Sequence, residues 1–139
     1  MNRETQLFKG LLKKRGYSLT APRLKLFSVL QNHNACSINE LTALLSNYDR
    51  ATVYRTVSLF ERLGIVNRLQ LGWKYKLELS DVFHHHHHHL TCTNCGKVTI
   101  LREDSTIENR IKSLSDKNGF LITDHQLEIR GLCQVCQTK

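Results

Sequence analysis

Four of the five cysteines form two pairs with the same spacing, and 37 residues separate the pairs. The pairs are Cys92-x-x-Cys95 and Cys133-x-x-Cys136. Each pair can supply two thiolates, so together they provide the four soft ligands that tetrahedral zinc prefers. Gly96 follows the first pair and Gly131 precedes the second, where the chain must turn. The spacing predicts a closed structural zinc site rather than four unrelated buried thiols.

Six consecutive histidines, residues 84–89, lead into the first cysteine pair. Alternate side chains of a strand face opposite sides. On a strand, His86 and His88 would therefore point one way, and His87 and His89 the other, so one short run offers two pairs of metal ligands. His84 and His85 are expected to face solvent and to belong to neither site.

The segment RATVYRTVSLFERLG, residues 50–64, has the pattern of an amphipathic helix that Asp49 caps and Gly64 ends. Val53 and Val57 would pack inward. The exposed candidates for contact with DNA are Arg50, Thr52, Tyr54 and Arg55. An ordinary surface helix has the same pattern, but the basic charge of this half and the hairpin that follows favour DNA.

Three further helices and a hairpin surround this segment. Residues 6–15 predict a short helix, Thr20-Ala-Pro-Arg23 the start of a second, and Ser37-Ile-Asn-Glu40 a capping box for a third. Residues 65–71 and 74–79 then alternate as strands around a turn. Helices followed by a two-stranded ribbon are the order of a winged helix-turn-helix domain, predicted over residues 1–80.

Residues 81–139 predict a small α/β domain, which makes the whole chain α+β. Strands are expected over 85–90 and 98–101, and a helix from the capping box Ser105-Thr-Ile-Glu108 to about Gly119. Residues 120–132 have β character. The cysteine pairs would then lie near strand ends.

Charge is unevenly distributed over the 139 residues, whose formal net charge is +8. Residues 1–81 carry 13 Lys and Arg against 6 Asp and Glu, a net of +7, and the remainder carry 7 against 6, a net of +1. The first half therefore suits a polyanionic partner, and Lys13, Lys14 and Arg15 are expected to touch phosphate. We expect a cytoplasmic protein with no membrane partner, because the chain has no run long enough to span a bilayer and no signal-peptide core. It has no H-E-x-x-H and no nucleophile arrangement, so an enzyme is not expected.

Several of these motifs occur together, and in order, in the Fur family of metal-responsive repressors. The matching motifs are Thr20-Ala-Pro-Arg23, Ala51-Thr-Val-Tyr-Arg55, Leu77-Glu-Leu79, the histidine run with Leu-x-Cys-x-x-Cys-Gly-Lys97, and Cys133-x-x-Cys136. The chain resembles that family over nearly its whole length. The resemblance implies a homodimer, a winged helix on a palindromic double-stranded DNA operator, a C-terminal dimerisation domain, and a structural zinc held by the four cysteines.

The resemblance also implies two further metal sites. Residues that match the regulatory hinge site are Glu78, His87 and His89, and residues that match a second site are His86, His88, Glu108 and His125. Imidazole and carboxylate suit Zn²⁺, Fe²⁺ or Mn²⁺, and Zn²⁺ or Fe²⁺ is expected ahead of Mn²⁺. Metal at the hinge would close the dimer onto its operator and repress genes of metal uptake.

The chain departs from the family pattern at the ligand that links the two domains. Ala35 stands where a histidine commonly reaches the hinge metal, which leaves His33 and Cys36 as alternatives. His88 replaces a frequent aspartate, Ser18 replaces a frequent basic residue, and Glu78 argues against the peroxide-sensing branch. A peroxide-sensing repressor of the same family and a metal storage or delivery protein remain the alternative functions.

Overall fold

The computed structural model describes residues 2–71, 73–83 and 86–138. The chain divides into two compact units, Met1–His84 and His85–Lys139. The predictions for His84 and His85 lie outside the described residues.

The first unit contains four helices followed by a hairpin. Its elements are α1 (Arg3–Lys14), α2 (Ala21–Asn32), α3 (Ile38–Leu44), α4 (Arg50–Arg62), β1 (Val66–Leu71) and β2 (Lys74–Leu79). This order confirms the winged helix-turn-helix that the sequence predicts.

Side-chain caps explain where three of these helices begin. Asn2, Ser37 and Asp49 accept hydrogen bonds from the backbone amides three residues later, at 2.8, 3.1 and 2.7 Å. Such caps satisfy amides that have no partner inside the helix. Because Asn2 caps α1, that helix starts at Arg3 and not near residue 6 as predicted.

The core of the first unit is built around aromatic rings. Phe8 of α1 stacks on Phe27 of α2 with centroids 4.2 Å apart, and Phe60 of α4 meets Phe8 edge to face at 5.4 Å. All three rings are fully buried. Phe83, after the hairpin, packs edge to face on Phe27 at 5.1 Å. The core therefore fixes α4 against α1 and α2, which leaves the opposite face of α4 to solvent.

The hairpin is attached to this helical core. Strands β1 and β2 pair in antiparallel register along all six residues of each. Leu77 and Leu79 of β2 are buried. The backbone of Cys36 exchanges two hydrogen bonds with that of Leu77, at 2.9 and 2.7 Å, so the segment before α3 adds a short bridge to the wing.

The second unit is a three-stranded sheet with one long helix, which confirms the predicted small α/β domain. Its elements are β3 (His87–Cys92), β4 (Val98–Arg102), α5 (Ser105–Lys117), β5 (Glu128–Gly131) and α6 (Gln134–Gln137). The strand order is β4-β3-β5. Strand β3 is antiparallel to β4 and parallel to β5, because α5 lies in the connection between β4 and β5.

Two local predictions for this unit are wrong. The β character of residues 120–132 becomes a strand only over Glu128–Gly131, because four residues of β5 find a partner on the short strand β3. The capping box at Ser105 does not form. Asp104 caps α5 instead, accepting from the amides of Thr106 and Ile107 at 2.9 and 3.3 Å, which releases the Glu108 side chain from a capping role.

The second unit buries little apolar surface. Among its described residues, the buried apolar side chains are those of Cys92 and Cys136, and α5 has no buried residue. Its large apolar side chains that are exposed include Leu114, Phe120, Leu121, Leu132 and Val135. A domain this small usually needs a metal, disulfides or a partner when its apolar core is thin. This unit therefore depends on such additional stabilisation, and its clustered cysteines and histidines are candidates to provide it.

Candidate metal centres and DNA-facing surface

The two cysteine pairs meet where β3 and β5 end. Cys92 is the last residue of β3, Cys133 follows β5, and Cys136 lies in α6. Gly96, at a φ of 79°, turns the chain after the first pair in the left-handed region that favours glycine. The four sulfur atoms lie within 4.8 Å of one another, and Cys95 Sγ is 3.8 Å from Cys133 Sγ.

This spacing fits zinc. A Zn–S bond of about 2.3 Å in a tetrahedron separates the sulfurs by about 3.8 Å, the distance between Cys95 and Cys133. Four protein ligands leave no open coordination position, so a metal held here has a structural role.

Two of the four thiols have a lowered pKa, and a third has a raised pKa. The amides of Cys133 and Cys95 approach Cys92 Sγ at 3.4 and 3.5 Å and lower the pKa of Cys92 to about 6. A hydrogen bond from the Cys136 amide lowers the pKa of Cys133. The Asn94 amide lowers the pKa of Cys136, but burial and the neighbouring thiols outweigh it and raise that pKa to about 11. A divalent cation would remove the repulsion between the thiolates and allow all four to lose their protons.

A second cluster contains three imidazoles and one carboxylate. Glu108, in the first turn of α5, lies with Oε1 2.7 Å from His88 Nε2 and 3.3 Å from His86 Nε2. Its other oxygen, Oε2, is 2.8 Å from Nε2 of His125, in the segment before β5. The Nε2 atoms of His86 and His125 are themselves 3.0 Å apart. Four ligand atoms thus converge on one point in a pattern that suits a divalent metal.

Glu108 is held as a carboxylate in this cluster. Desolvation raises its pKa, but the hydrogen bond from His88 and the charges of His125, His86 and His88 outweigh that effect and lower the pKa from its ordinary value. The side chain of Glu108 is 16% exposed and that of His88 is 2% exposed. An ionised carboxylate among imidazoles is the ligand set expected for Zn²⁺ or Fe²⁺.

His87 and His89 lie on the opposite face of β3. Their ring centroids are 4.8 Å apart, as those of His86 and His88 are at 4.6 Å on the other face. His89 is buried, and its Nδ1 lies 3.1 Å from Glu128 Oε1. Glu78 lies in the first unit, on β2.

The two alternatives for the inter-domain ligand differ in accessibility. His33 caps the C-terminal end of α2 and is exposed, and its Nδ1 donates to the carbonyl of Val29 at 2.8 Å. Cys36 is 1% exposed within the apolar core, and burial raises the pKa of its thiol. A metal-binding histidine commonly donates its other ring N–H to a carbonyl in this way, whereas the buried Cys36 thiol is poorly suited to bind metal.

Helix α4 presents one face to the core and one to solvent. Val53 and Val57 are buried as predicted, and Tyr54 is 42% exposed. Arg50 is exposed and donates to Asn39 of α3 at 2.6 Å. Arg55 is exposed and donates to Thr52, which is itself only partly accessible, at 3.2 Å.

Further exposed basic side chains lie outside α4. Lys13, Lys14 and Arg15 are exposed at the end of α1. Arg23 of α2 lines a groove with Tyr54 and Arg55, and it is a further candidate for contact with DNA that was not among the predicted residues. Its place in the Thr20-Ala-Pro-Arg23 motif was the available signal. Among the described residues, no helix has the length and apolar run that a membrane crossing requires.

Comparison with known proteins gives matches over most of the chain. The model of the ferric uptake regulator family matches residues 14–130. A ferric uptake regulation protein of Legionella pneumophila is 38% identical over 133 residues, which are 91% of this chain and 96% of that protein. The ferric uptake regulator of Vibrio cholerae superposes with a TM-score of 0.76 at 36% identity, covering 91% of this chain and 99% of that one. A Francisella tularensis ferric uptake regulator, with iron, gives a TM-score of 0.75 at 27% identity over 88% and 96% of the two chains.

Proposed function

The chain belongs to the ferric uptake regulator family, and we propose that it is a metal-gated repressor that binds a palindromic DNA operator as a homodimer. Proteins of this family are transcriptional regulators of metal homeostasis, and we assign the chain to this class. Metal gating, the palindromic operator and the identity of the regulatory metal are proposals that go beyond family membership.

One observation carries the metal-dependent part of this proposal. The second unit has a nitrogen- and oxygen-ligand cluster that is separate from its four-cysteine cluster. Four thiolates hold zinc in a closed site, whereas imidazoles and a carboxylate suit a metal that exchanges. A protein with one permanent and one exchangeable metal can fold in the absence of signal and respond when metal rises. We propose that this signal is a rise in the concentration of a divalent metal ion.

The hinge site is proposed from residues of both units. Glu78, His87 and His89 are its ligands, and His33 is favoured over Cys36 as the fourth because His33 is exposed and its Nδ1–H is already engaged. Metal bound there would fix the angle between the two domains. His86, His88, Glu108 and His125 form the second site, whose occupancy would support the same state.

The DNA-binding surface is proposed to be the exposed face of α4. Arg50, Thr52, Tyr54 and Arg55 would meet bases and phosphates in the major groove, and the basic end of α1 would hold phosphate. In the homodimer the two copies of α4 would lie about one helical turn, roughly 34 Å, apart on a palindrome. The net charge of +7 on residues 1–81 supports this assignment.

Zn²⁺ and Fe²⁺ are the proposed regulatory metals, with Mn²⁺ after them. A histidine-rich ligand set suits zinc, and the similar regulator of Francisella tularensis was solved with iron. Competition between Fe²⁺ and Zn²⁺ to activate DNA binding by the same protein would show which of them is the regulatory metal.

A band shift with DNA from upstream of the chain's own gene tests the proposal. The full-length protein is titrated onto this fragment with a chelator, and then with Zn²⁺, Fe²⁺ or Mn²⁺ at saturation. We expect at least one metal to raise the affinity and an unrelated fragment to show no such gain. A metal storage protein would bind the ions with no effect on DNA, and failure of all three metals would reject the repressor.

A further inference from the structure

A carboxylate that belongs to none of the sequence motifs lies beside one of the hinge-site histidines. The parallel register of β3 and β5 places Glu128 directly opposite His89. Glu128 Oε1 is 3.1 Å from His89 Nδ1, and the two side chains are 25% and 5% exposed. The contact therefore lies largely away from solvent, where a hydrogen bond to a charged group is strong.

The other oxygen of Glu128 has an unusual position. Oε2 is buried and has no hydrogen-bond partner within the described part of the chain. A buried carboxylate oxygen without a partner is unfavourable. Nearby positive charge would offset that cost. A divalent cation bound by the imidazoles of His87 and His89 would provide this charge.

Glu128 contacts a different imidazole nitrogen from the one that Glu108 contacts. Glu108 lies against the Nε2 atoms of three imidazoles, so it shares their point of convergence. Among the described residues, Glu128 lies against the Nδ1 atom of His89. The first arrangement is that of a ligand, and the second is that of an outer carboxylate that orients a ligand.

We propose that Glu128 is a positioning residue of the His87 and His89 metal site. It accepts the Nδ1–H of His89, which fixes the tautomer in which Nε2 carries the lone pair for the metal. Its negative charge also favours the bound cation. This inference rests on the proposed function, because it assumes that His87 and His89 bind the regulatory metal.

The rival explanation is a plain ion pair between Glu128 and a protonated His89 that only stabilises the sheet. Both explanations predict that loss of Glu128 costs stability. Only the positioning role predicts a neutral Nδ1–H tautomer of His89 in the metal-free protein and a loss of metal affinity that a neutral hydrogen-bond acceptor partly restores.

The test measures Zn²⁺ affinity by competition with a chromogenic chelator in the full-length chain, with the four-cysteine site already filled. A His125→Ala background removes the second cluster from the measurement. Glu128→Ala is expected to weaken Zn²⁺ binding about 10- to 100-fold. Glu128→Gln, which keeps an acceptor oxygen, should recover part of this loss. Exposed Glu103→Gln is the matched control and should leave the affinity unchanged.

Nitrogen NMR of the histidine side chains supplies the second readout. His89 should carry its proton on Nδ1 in the wild type and in Glu128→Gln, and should lose this preference in Glu128→Ala. An Nε2–H tautomer or a protonated ring at pH 7.5 in the wild type overturns the inference, even if Glu128→Ala does not fold. Unchanged Zn²⁺ affinity in folded Glu128→Ala also overturns it.

His89→Ala separates this inference from the proposed function. If His89→Ala loses Zn²⁺ while Glu128→Ala keeps it, the hinge site stands and only the role of Glu128 is rejected. If His89→Ala keeps full Zn²⁺ affinity, the hinge site itself is rejected, and the inference with it.

Discussion

Replacing Cys133 by serine should unfold the second unit. Cys133 supplies one of four sulfurs that lie within 4.8 Å of one another, and a serine hydroxyl stays protonated at neutral pH and does not replace a thiolate. Zinc binding by four such ligands is worth about 10–16 kcal/mol of folding free energy. An entire domain is typically stable by about 5–15 kcal/mol.

The structure offers little to offset such a loss. The buried apolar side chains among the described residues of the second unit are Cys92 and Cys136, and both belong to the same cluster. The large apolar side chains of this unit are mostly exposed, so few apolar contacts within the chain remain to offset the loss of zinc binding. The first unit has its own aromatic core and should stay folded in the variant.

Metal analysis and limited proteolysis check this prediction. The wild type, purified without added metal, should carry one tightly held zinc per chain and resist cleavage throughout. Cys133→Ser should lose this zinc and be cut within residues 85–139, while residues 1–84 survive. Cys36→Ala is the matched control, because Cys36 is a buried cysteine of the first unit outside the cluster, and it should keep its zinc. A Cys133→Ser protein with one zinc and unchanged protection would refute the reasoning.

Three other perturbations test the remaining parts of the account. His87→Ala and His89→Ala should each abolish metal-activated DNA binding in a band shift while sedimentation still shows a dimer; a retained metal response in both would place the sensor elsewhere. Lys13→Ala should weaken binding to all DNA sequences alike and reduce the slope of log K against log salt by about 0.9; a change confined to one sequence would contradict a phosphate contact. Hydrogen bonds from Thr52 lower the pKa of Asp49 from its ordinary value. The stabilisation of α4 by this cap is therefore fully present above the ordinary aspartate pKa and is lost as pH falls through the lowered pKa. Helical circular dichroism should show this acid loss in the wild type and less of it in Asp49→Asn, which caps without titrating; identical acid profiles would contradict the assignment.

The first unit was largely predictable because its signals are local. Ser37 and Asp49 cap the helices that the sequence assigns to them. Val53 and Val57 face the core, as their helical spacing indicates. The early start of α1 was missed because Asn2 precedes a polar stretch, RETQ, without an apolar pattern. The start of α1 is therefore set by the side-chain cap and not by the spacing of apolar residues.

The motifs of the second unit could be predicted from the sequence, but the pairing of its strands could be predicted less well. Asp104 and Ser105 are both good caps, and the sequence alone did not choose between them. The structure uses Asp104, and Glu108 is then available to the histidines. Residues 120–127 have apolar and β-branched side chains but form no strand, because a strand needs a partner with free backbone groups.

Contacts between distant segments were the hardest to foresee from residues alone. Glu128 meets His89 only because β5 pairs in parallel with β3, and no periodic pattern in the sequence reports that register. Arg23 joins the surface of α4 through the packing of α2. The four-cysteine cluster could be predicted from the spacing of the cysteines, and the pairing of the histidines from the alternation of side chains on a strand. Glu78, Glu108 and His125 were implied only by the resemblance to the Fur family.

Metal gating itself is tested most directly by the linkage between metal and DNA. The metal affinity of the full-length protein is measured with and without the DNA fragment from upstream of its own gene, using the ion that gives the largest band shift. If metal gates DNA binding, DNA must tighten metal binding by the same factor as metal tightens DNA binding, and couplings of this kind are about 5- to 150-fold. Equal factors clearly above one are the predicted result. A metal affinity that is unchanged by saturating DNA would contradict the account.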